Sequence, residues 1–571
     1  MNLPSFLKLK YLDFLQKETQ ALDYRLLVFL AVAGACNALV LAVINTSVES
    51  MNDGGPYWKH FFVFSLAIIL FAYSLRYILF HSSRIAEEAI CSVRMRLADK
   101  IRHCDLAALE AIGEVDIHSR VSRETQTIVQ ATQPFFSAGQ AAIMILFITL
   151  YIAKESPAAV LLCLIMIIFG IGTHLRALKP YEEGLAEASK REDTLFSTLT
   201  GLLRGFKELR INTLKSDDVF GEFGTAAGRV RDSRTFLNEL FSNNIVFADT
   251  FFKLWMGGVV FILPVISTSF TGTVAKVISS LLFLIGPLSS VVYVIPLISQ
   301  IDFTVDNLAR LETALDKALE RRDDSRTAPL DLFADFKQIS FRHVRFSYTN
   351  PDGSPGFEVG PIDGDIRRGE VLFLIGGNGS GKTTFMKLLA ALYHPNEGSI
   401  RVDDTDLTPA NTQAYQNLFS AIFSDFHLFD KLHGLRNIDP ARVDKLLNLM
   451  DISRKTAYQE DRFTNLNLST GQRKRLALVV TFLEDKPVYI FDEVAADQDP
   501  EFRRYFYETL VPELKSAGKT LVIVSHDDRY FHVADRVLKM DFGKLDLNNH
   551  THFPRPDQRS HANERHSKQE K

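Results

Sequence analysis

Six apolar runs crowd the N-terminal half of this chain, at about 26–45, 61–80, 135–153, 158–175, 246–266 and 277–298. A bilayer core takes about 20 mostly apolar residues per helix, and inside it the backbone must satisfy its own hydrogen bonds. The runs therefore predict a bundle of six membrane helices; the alternative is a set of buried core helices. The sixth run is interrupted by Gly286-Pro287 and Pro296. A span tolerates such breaks when neighbouring helices take up the freed carbonyls.

The linkers between runs fix an orientation. Three are short, 46–60, 154–157 and 267–276, and two are long, 81–134 and 176–245. The long ones carry Arg84, Arg94, Arg96, Lys100 and Arg102, then Arg176, Lys179, Lys190 and Arg191. Basic loops stay in the cytosol, so the long connections and both termini are expected there. Both are rich in helix formers and poor in proline. Each predicts a pair of helices that extend membrane spans into the cytosol and meet at a turn. Residues 302–322 continue the last run as an amphipathic helix, and Arg326-Thr327-Ala328-Pro329 reads as a linker. No removable signal peptide is evident at the N-terminus.

Composition narrows the partners. A net charge of −4 over 571 residues gives no argument for nucleic acid as a partner. Cys36, Cys91, Cys104 and Cys163 lack metal-ligand spacing and read as reduced, structural residues.

Beyond the linker the pattern becomes soluble α/β. The alternating run 339–348 reads as a strand with Tyr348 at its end, where an aromatic face can stack on adenine. Val371-Leu372-Phe373-Leu374-Ile375 reads as a buried strand. It leads into Gly376-Gly377-Asn378-Gly379-Ser380-Gly381-Lys382-Thr383-Thr384, with a helical pattern from Phe385. The spacing G-x-x-x-x-G-K-[ST] between strand and helix is that of a phosphate-binding loop. Glycines let backbone N–H groups close around phosphate oxygens at a helix start. Lys382 is placed for the β- and γ-phosphates and Thr383 for Mg²⁺.

A second buried strand, 488–492, ends in Asp492-Glu493. Asp492 is placed to hold Mg²⁺ and Glu493 to polarise an attacking water as general base. A third, 521–524, leads into His526, which can contact a γ-phosphate. Between these lies Leu468-Ser469-Thr470-Gly471-Gln472, followed by Arg473-Lys474-Arg475 and a helical pattern to Phe482. A serine before a helix is a natural cap, and the helix start leaves orphan N–H groups. Those donors suit a phosphate presented by another subunit.

GGNGSGKTT, LSTGQRKR, VYIFDE and VSH, in this order, resemble the nucleotide-binding domain of ABC transporters. With the six runs ahead of them, the whole chain resembles an ABC exporter half-transporter. The wording FSAIFSDFHLFD at 419–430 resembles the cyclic-peptide and siderophore-precursor exporters, a branch that includes exporters of lasso microcins, lipopeptide toxins and pyoverdine precursors. The resemblance implies a six-span all-α membrane domain over 1–322, a linker over 323–336, and an α/β P-loop ATPase domain over 337–547. Residues 548–571 are expected to be a disordered tail; its histidines (His550, His552, His561, His566) are an alternative metal site.

The resemblance further implies ATP and Mg²⁺ as cofactors. Tyr348 would lie on adenine, Gly376 to Thr384 on the phosphates, and Thr383 with Asp492 on Mg²⁺. Catalysis would rest on Glu493, His526 and Lys382. Ser469, Gly471 and Gln472 would serve the nucleotide of a second copy, and Asp499 would cross that interface. The protein would be a homodimer in the bacterial inner membrane, exporting a cyclic or modified peptide or a siderophore precursor. Rival readings are a multidrug or lipid exporter, an exporter-fold siderophore importer, and a membrane ATPase that moves no solute.

Three departures stand out from the family pattern. Ser424-Asp425 occupies the place of the glutamine expected between phosphate loop and LSTGQ. Thr470 replaces a common glycine. Residues 461–467 lack a glutamate that many exporters carry. Asp425 is a candidate substitute for the glutamine. Within the runs, Asn37 and Gln140 are polar candidates for a cavity, and Asp249 is expected to pair with Lys253 four residues on.

Overall fold

The structure, a computed structural model, describes residues 10–19, 24–52, 58–266, 271–319, 328–350 and 354–547. The expected tail and the first part of the expected linker, 323–327, lie outside the described residues. The chain divides into two compact units. The first comprises residues 1–102 and 113–315; the second comprises 103–112 and 316–571.

The first unit is helical. Its elements are α1 (Lys10–Thr19), α2 (Tyr24–Asn52) and α3 (Trp58–His103). After α4 (Leu106–Ile112), which belongs to the second unit, come α5 (Glu114–Ser119), α6 (Thr125–Glu155) and α7 (Pro157–Arg204). Then follow α8 (Phe206–Ile211), α9 (Thr213–Ile266) and α10 (Thr271–Leu319). All six apolar runs lie inside helices: α2, α3, α6, α7, α9 and α10. Among the described residues, five of these are long and apolar enough to cross a membrane. The fourth run lies in α7, where several side chains fall outside the described residues. The long connections are helix pairs, as the composition predicts, each meeting at a short helix, α4 or α8. The prolines of the last run do not interrupt α10.

Small residues let these helices meet. A Cβ on Gly34 of α2 would lie 2.6 Å from Ile143 of α6, so the two backbones approach as small-residue interfaces in membranes do. Ala38, Leu41, Met144 and Ile148 fill the adjoining core. Outside the apolar core, charge takes over. Arg96 on α3 joins Glu18 of α1 (2.6 Å) to Glu312 of α10 (2.7 Å), and Lys10 binds Asp306 at 2.8 Å. The expected Asp249–Lys253 pair forms at 2.6 Å.

The second unit is built on two sheets. Its strands are β1 (Gln338–Thr349), β2 (Pro355–Arg367), β3 (Val371–Ile375), β4 (Glu397–Val402), β5 (Thr405–Asp406) and β6 (Phe419–Ile422). They continue with β7 (Tyr458–Gln459), β8 (Arg462–Phe463), β9 (Val488–Asp492), β10 (Thr520–Val524), β11 (Arg536–Lys539) and β12 (Leu545–Asp546). The interleaved helices are α11 (Lys382–Leu389), α12 (Thr412–Gln416), α13 (Pro440–Leu449), α14 (Thr470–Glu484), α15 (Pro500–Tyr505) and α16 (Val511–Ser516).

The central sheet has the order β11-β3-β10-β9-β6 and is parallel throughout. Its strands are almost wholly apolar because both faces are covered. The second sheet, β12-β2-β1-β4-β5, is largely antiparallel. Phe341, Phe385 and Leu389 pack between this sheet and α11.

Candidate nucleotide-hydrolysis site

Three neighbouring strands of the parallel sheet end side by side, the usual place for a site in an open α/β sheet. β3 leads into loop 376–381, β9 into Glu493 and β10 into His526. The loop folds as it does because two positions admit only glycine. A Cβ on Gly376 would lie 2.3 Å from the Met540 carbonyl, and Gly381 has φ +104°. The loop then turns directly into α11, whose helix begins at Lys382, three residues before the start expected from the sequence.

Lys382 is buried, and its Nζ donates to the carbonyls of Gly376 (3.0 Å) and Gly377 (2.9 Å). Its charge therefore sits over the centre of the loop. Ser380 Oγ is buried and has no hydrogen-bond partner among the described residues. Gly377, Asn378 and Gly379 form the exposed turn of the loop. A lysine, an orphan hydroxyl and the start of a helix together suit an anionic phosphate chain.

Thr383 Oγ1 donates to Asp492 Oδ2 at 3.1 Å. Asp492 is 2% exposed. Burial pushes its carboxyl above the ordinary range; the Thr383 hydroxyl pulls it back, and the Glu493 charge raises it further. One hydroxyl and one carboxylate form the small donor set that Mg²⁺ accepts when waters and phosphates complete its shell.

Glu493 stands in the left-handed backbone region, φ 52°, which turns its carboxylate out of the strand direction. His526 Nε2 lies 3.1 Å from Glu493 Oε1. The structure thus brings the two proposed water-handling groups into direct contact beside Asp492.

Tyr348, at the end of β1, is held by its hydroxyl, 3.1 Å from Thr384 Oγ1 and 3.4 Å from the Tyr393 hydroxyl. The Thr384 hydroxyl thus bonds to Tyr348, a contact the sequence did not suggest.

The residues expected to serve a second copy gather at the start of α14. Ser469 caps this helix: its Oγ accepts from Gln472 N–H at 3.4 Å, and Gln472 Oε1 accepts from Ser469 N–H at 3.2 Å. The plain capping role is therefore real. Ser469 and Thr470 nonetheless remain exposed, and the first-turn amides of 470 and 471 have no acceptor within the helix. A Cβ on Gly471 would lie 2.9 Å from the Asp497 carbonyl, and Gln498 Nε2 donates to the Gly471 carbonyl at 2.9 Å. Asp499 caps α15 by accepting from Phe502 N–H at 2.9 Å and pairs with Arg475. The Phe502 amide, with Arg475 beside it, holds the Asp499 carboxyl below its usual range.

Lys474 joins this cluster to the hydrolytic one. Its Nζ donates to the Glu493 carbonyl at 2.8 Å and to Asp497 Oδ2 at 2.6 Å. In the sequence Lys474 stands only as one member of a basic run. The available signal was its place on the buried face of α14, with Ala477, Leu478 and Thr481.

The pattern that defines the "ABC transporter" family matches residues 359–496, a stretch that contains the phosphate loop, the start of α14 and Glu493. The ATP-binding protein SyrD of Pseudomonas syringae pv. syringae is 30% identical over 537 residues, 90% of this chain and 91% of SyrD. This chain belongs to the ABC transporter family. The ATP-dependent lipid A-core flippase of Neisseria meningitidis serogroup A is 32% identical over 224 residues, 36% of this chain and 35% of the flippase. A solved bacterial Atm1-family ABC exporter with ATP bound superposes with a TM-score of 0.76, covering 92% of this chain and 94% of that one at 18% identity. The fold is thus that of an ABC exporter, a helical multi-pass membrane domain followed by an ABC ATPase domain.

Proposed function

We propose that two copies of this chain form an exporter in the bacterial inner membrane, driven by ATP hydrolysis and carrying a cyclic or modified peptide or a siderophore precursor out of the cytosol. The observation that carries the hydrolytic part is the contact of His526 with Glu493, one residue from the Thr383–Asp492 pair. Lys382 and the loop amides hold the β- and γ-phosphates, and Tyr348 supports the adenine. Glu493 takes the proton of the attacking water, and His526 orients that water. Bound Mg²⁺, held by Thr383 and Asp492, would neutralise charge building on the phosphate oxygens. Ser469 and the amides of 470 and 471 serve the γ-phosphate held by the other copy, so closure of the pair accompanies ATP binding.

One observation favours an amphipathic, peptide-like cargo. A cavity of about 660 Å³ lies among α6, α9 and α10, lined mainly by apolar groups such as Phe247, Leu288 and Tyr293, with Ser137, Asn244 and Asp249 as polar points. Such a site suits an amphipathic molecule with a few hydrogen-bonding groups.

The test is ATP turnover by the purified chain in liposomes. Added cyclic lipopeptide is expected to stimulate it. Strong stimulation by added lipid, with none by any cyclic peptide, would overturn the cargo reading in favour of a lipid exporter.

A further inference from the structure

β10 ends at Val524, and Ser525 makes the last bond to the neighbouring strand, from its N–H to the Leu374 carbonyl at 3.4 Å. His526 follows in a loop, its side chain half exposed and in contact with Glu493. A reacting group on a loop keeps its aim only when packing and hydrogen bonds behind it fix the loop. Ser525 supplies such a point. It is buried, and its Oγ accepts from the Asp527 N–H at 3.2 Å and from the Tyr507 hydroxyl at 2.8 Å. The residues on either side of His526 are thus tied to one hydroxyl.

Tyr507 lies in an irregular part of its own element. Between α15 and α16, residues Phe506–Leu510 form a single π-helical turn, a widened turn that is frequent at functional sites. The Tyr507 ring is buried. It stacks on Tyr530, 4.6 Å between centroids and 16° between planes, and packs on Phe373 of β3 at 5.7 Å. Tyr530 belongs to the turn Asp528–Val533 that follows His526. Tyr507 therefore holds the histidine loop twice, by a hydrogen bond before His526 and by a ring contact after it. Burial pushes its phenol up to about 12, so the hydroxyl remains a donor at neutral pH.

We infer that Tyr507 is a positioning residue for hydrolysis, whose hydroxyl, acting through Ser525, holds His526 on Glu493. Loss of that hydroxyl leaves the ring in its stack and the core filled. It frees the Ser525 hydroxyl to rotate and the 525–527 turn to relax away from Glu493. A reacting group misplaced by about 1 Å can cost about 10²-fold in rate, so one missing oxygen acts on turnover more than on the fold. None of the groups placed on the adenine or the phosphates touches Tyr507, so nucleotide affinity is left alone. The inference rests on the reading of this site as one that hydrolyses ATP with Glu493 and His526.

The experiment is steady-state ATP turnover by the full chain in lipid nanodiscs. Tyr507→Phe is expected to lower kcat about tenfold while the KM for ATP stays within about twofold of the parent's. On a His526→Ala chain, read under single-turnover conditions, the same substitution should change the rate by under about twofold, because the group it positions is gone. Should that chain show no measurable rate, Ser525→Ala takes its place. It should match the tyrosine variant, and the double variant should lose under about twofold more than either. Tyr507→Phe with the parent's kcat would overturn the inference. So would a rise in KM that matches the fall in kcat, or losses that multiply in the double variant, as two separate structural supports would give. A parent that turns over no ATP would overturn the reading of the site itself.

Discussion

Glu493 combines a strained backbone with a histidine partner. A non-glycine residue in the left-handed region costs about 1–3 kcal/mol and persists where the surroundings enforce it. Here the Lys474 bond to its carbonyl and the end of β9 enforce it. Glu493→Gln keeps the shape and removes the proposed base. Turnover should fall roughly 10²–10⁴-fold, while the variant still retains ATP in a filter-binding measurement. Near-normal turnover would move the base elsewhere. Asp492 supplies a pH prediction. Its raised carboxyl takes a proton at higher pH than an ordinary aspartate near 4, and metal binding needs the ionised form. The Mg²⁺ concentration for half-maximal ATPase should therefore rise as pH falls toward the acidic range, and rise less for Mg²⁺ binding to free ATP measured alone. The same protonation relieves a buried charge, so acid acts at Asp492 on the metal rather than against the fold. At this scale the sequence was informative wherever chemistry needs a fixed local spacing, as from Gly376 to Thr384. It was silent on Tyr507 and Lys474. Their roles come from partners at Ser525 and Asp497, which no local pattern pairs with them.

At the scale of elements, α14 is seated by its first turn. Gly471 lies against the Asp497 carbonyl, Lys474 reaches under β9, and the Arg475 guanidinium stacks 4.1 Å over the Phe502 ring. This docking ties the start of α14 to Glu493, so that either end of the bridge senses the other. A methyl group at 471 would force the contact apart. Overpacking costs about 1–3 kcal/mol, and ATP turnover of Gly471→Ala should drop about tenfold, with membrane insertion and nucleotide binding retained. Unchanged turnover would mean that the Asp497 carbonyl yields freely. Hydropathy located the membrane helices because a bilayer imposes one strong rule on every span. Strand order was not legible, since β3, β10 and β9 become neighbours through long crossovers. Nor was the transfer of α4 to the second unit: Leu106, Ala107 and Glu110 look like any turn of a helical connection until their partners, the core under β1 and Lys387, are known.

At the scale of the whole molecule, the proposed pairing of two copies around each nucleotide makes a prediction that no single copy could satisfy. Lys382→Ala removes the lysine proposed to hold the phosphates, and Ser469→Arg blocks the start of α14. Each variant alone should hydrolyse almost no ATP. Mixed in one membrane, they should regain activity, because a pair of unlike copies has one site with intact Lys382 and intact Ser469. If the mixture stays inactive while mixed pairs are demonstrated by tagged pull-down, each copy needs its own Ser469.

The border between the two units is crossed three times by the chain, at 102/103, 112/113 and 315/316. Hybrids between relatives are commonly joined once, at a linker. In this protein a single junction near 320 would leave α4 from one parent facing the β1 core, Lys387 and Tyr393 of the other. A working exchange of ATPase halves should therefore carry residues 103–112 with it. By the same reasoning, Glu110, Lys387 and Tyr393 should change together when such chains diverge, although 277 residues of sequence separate the first two.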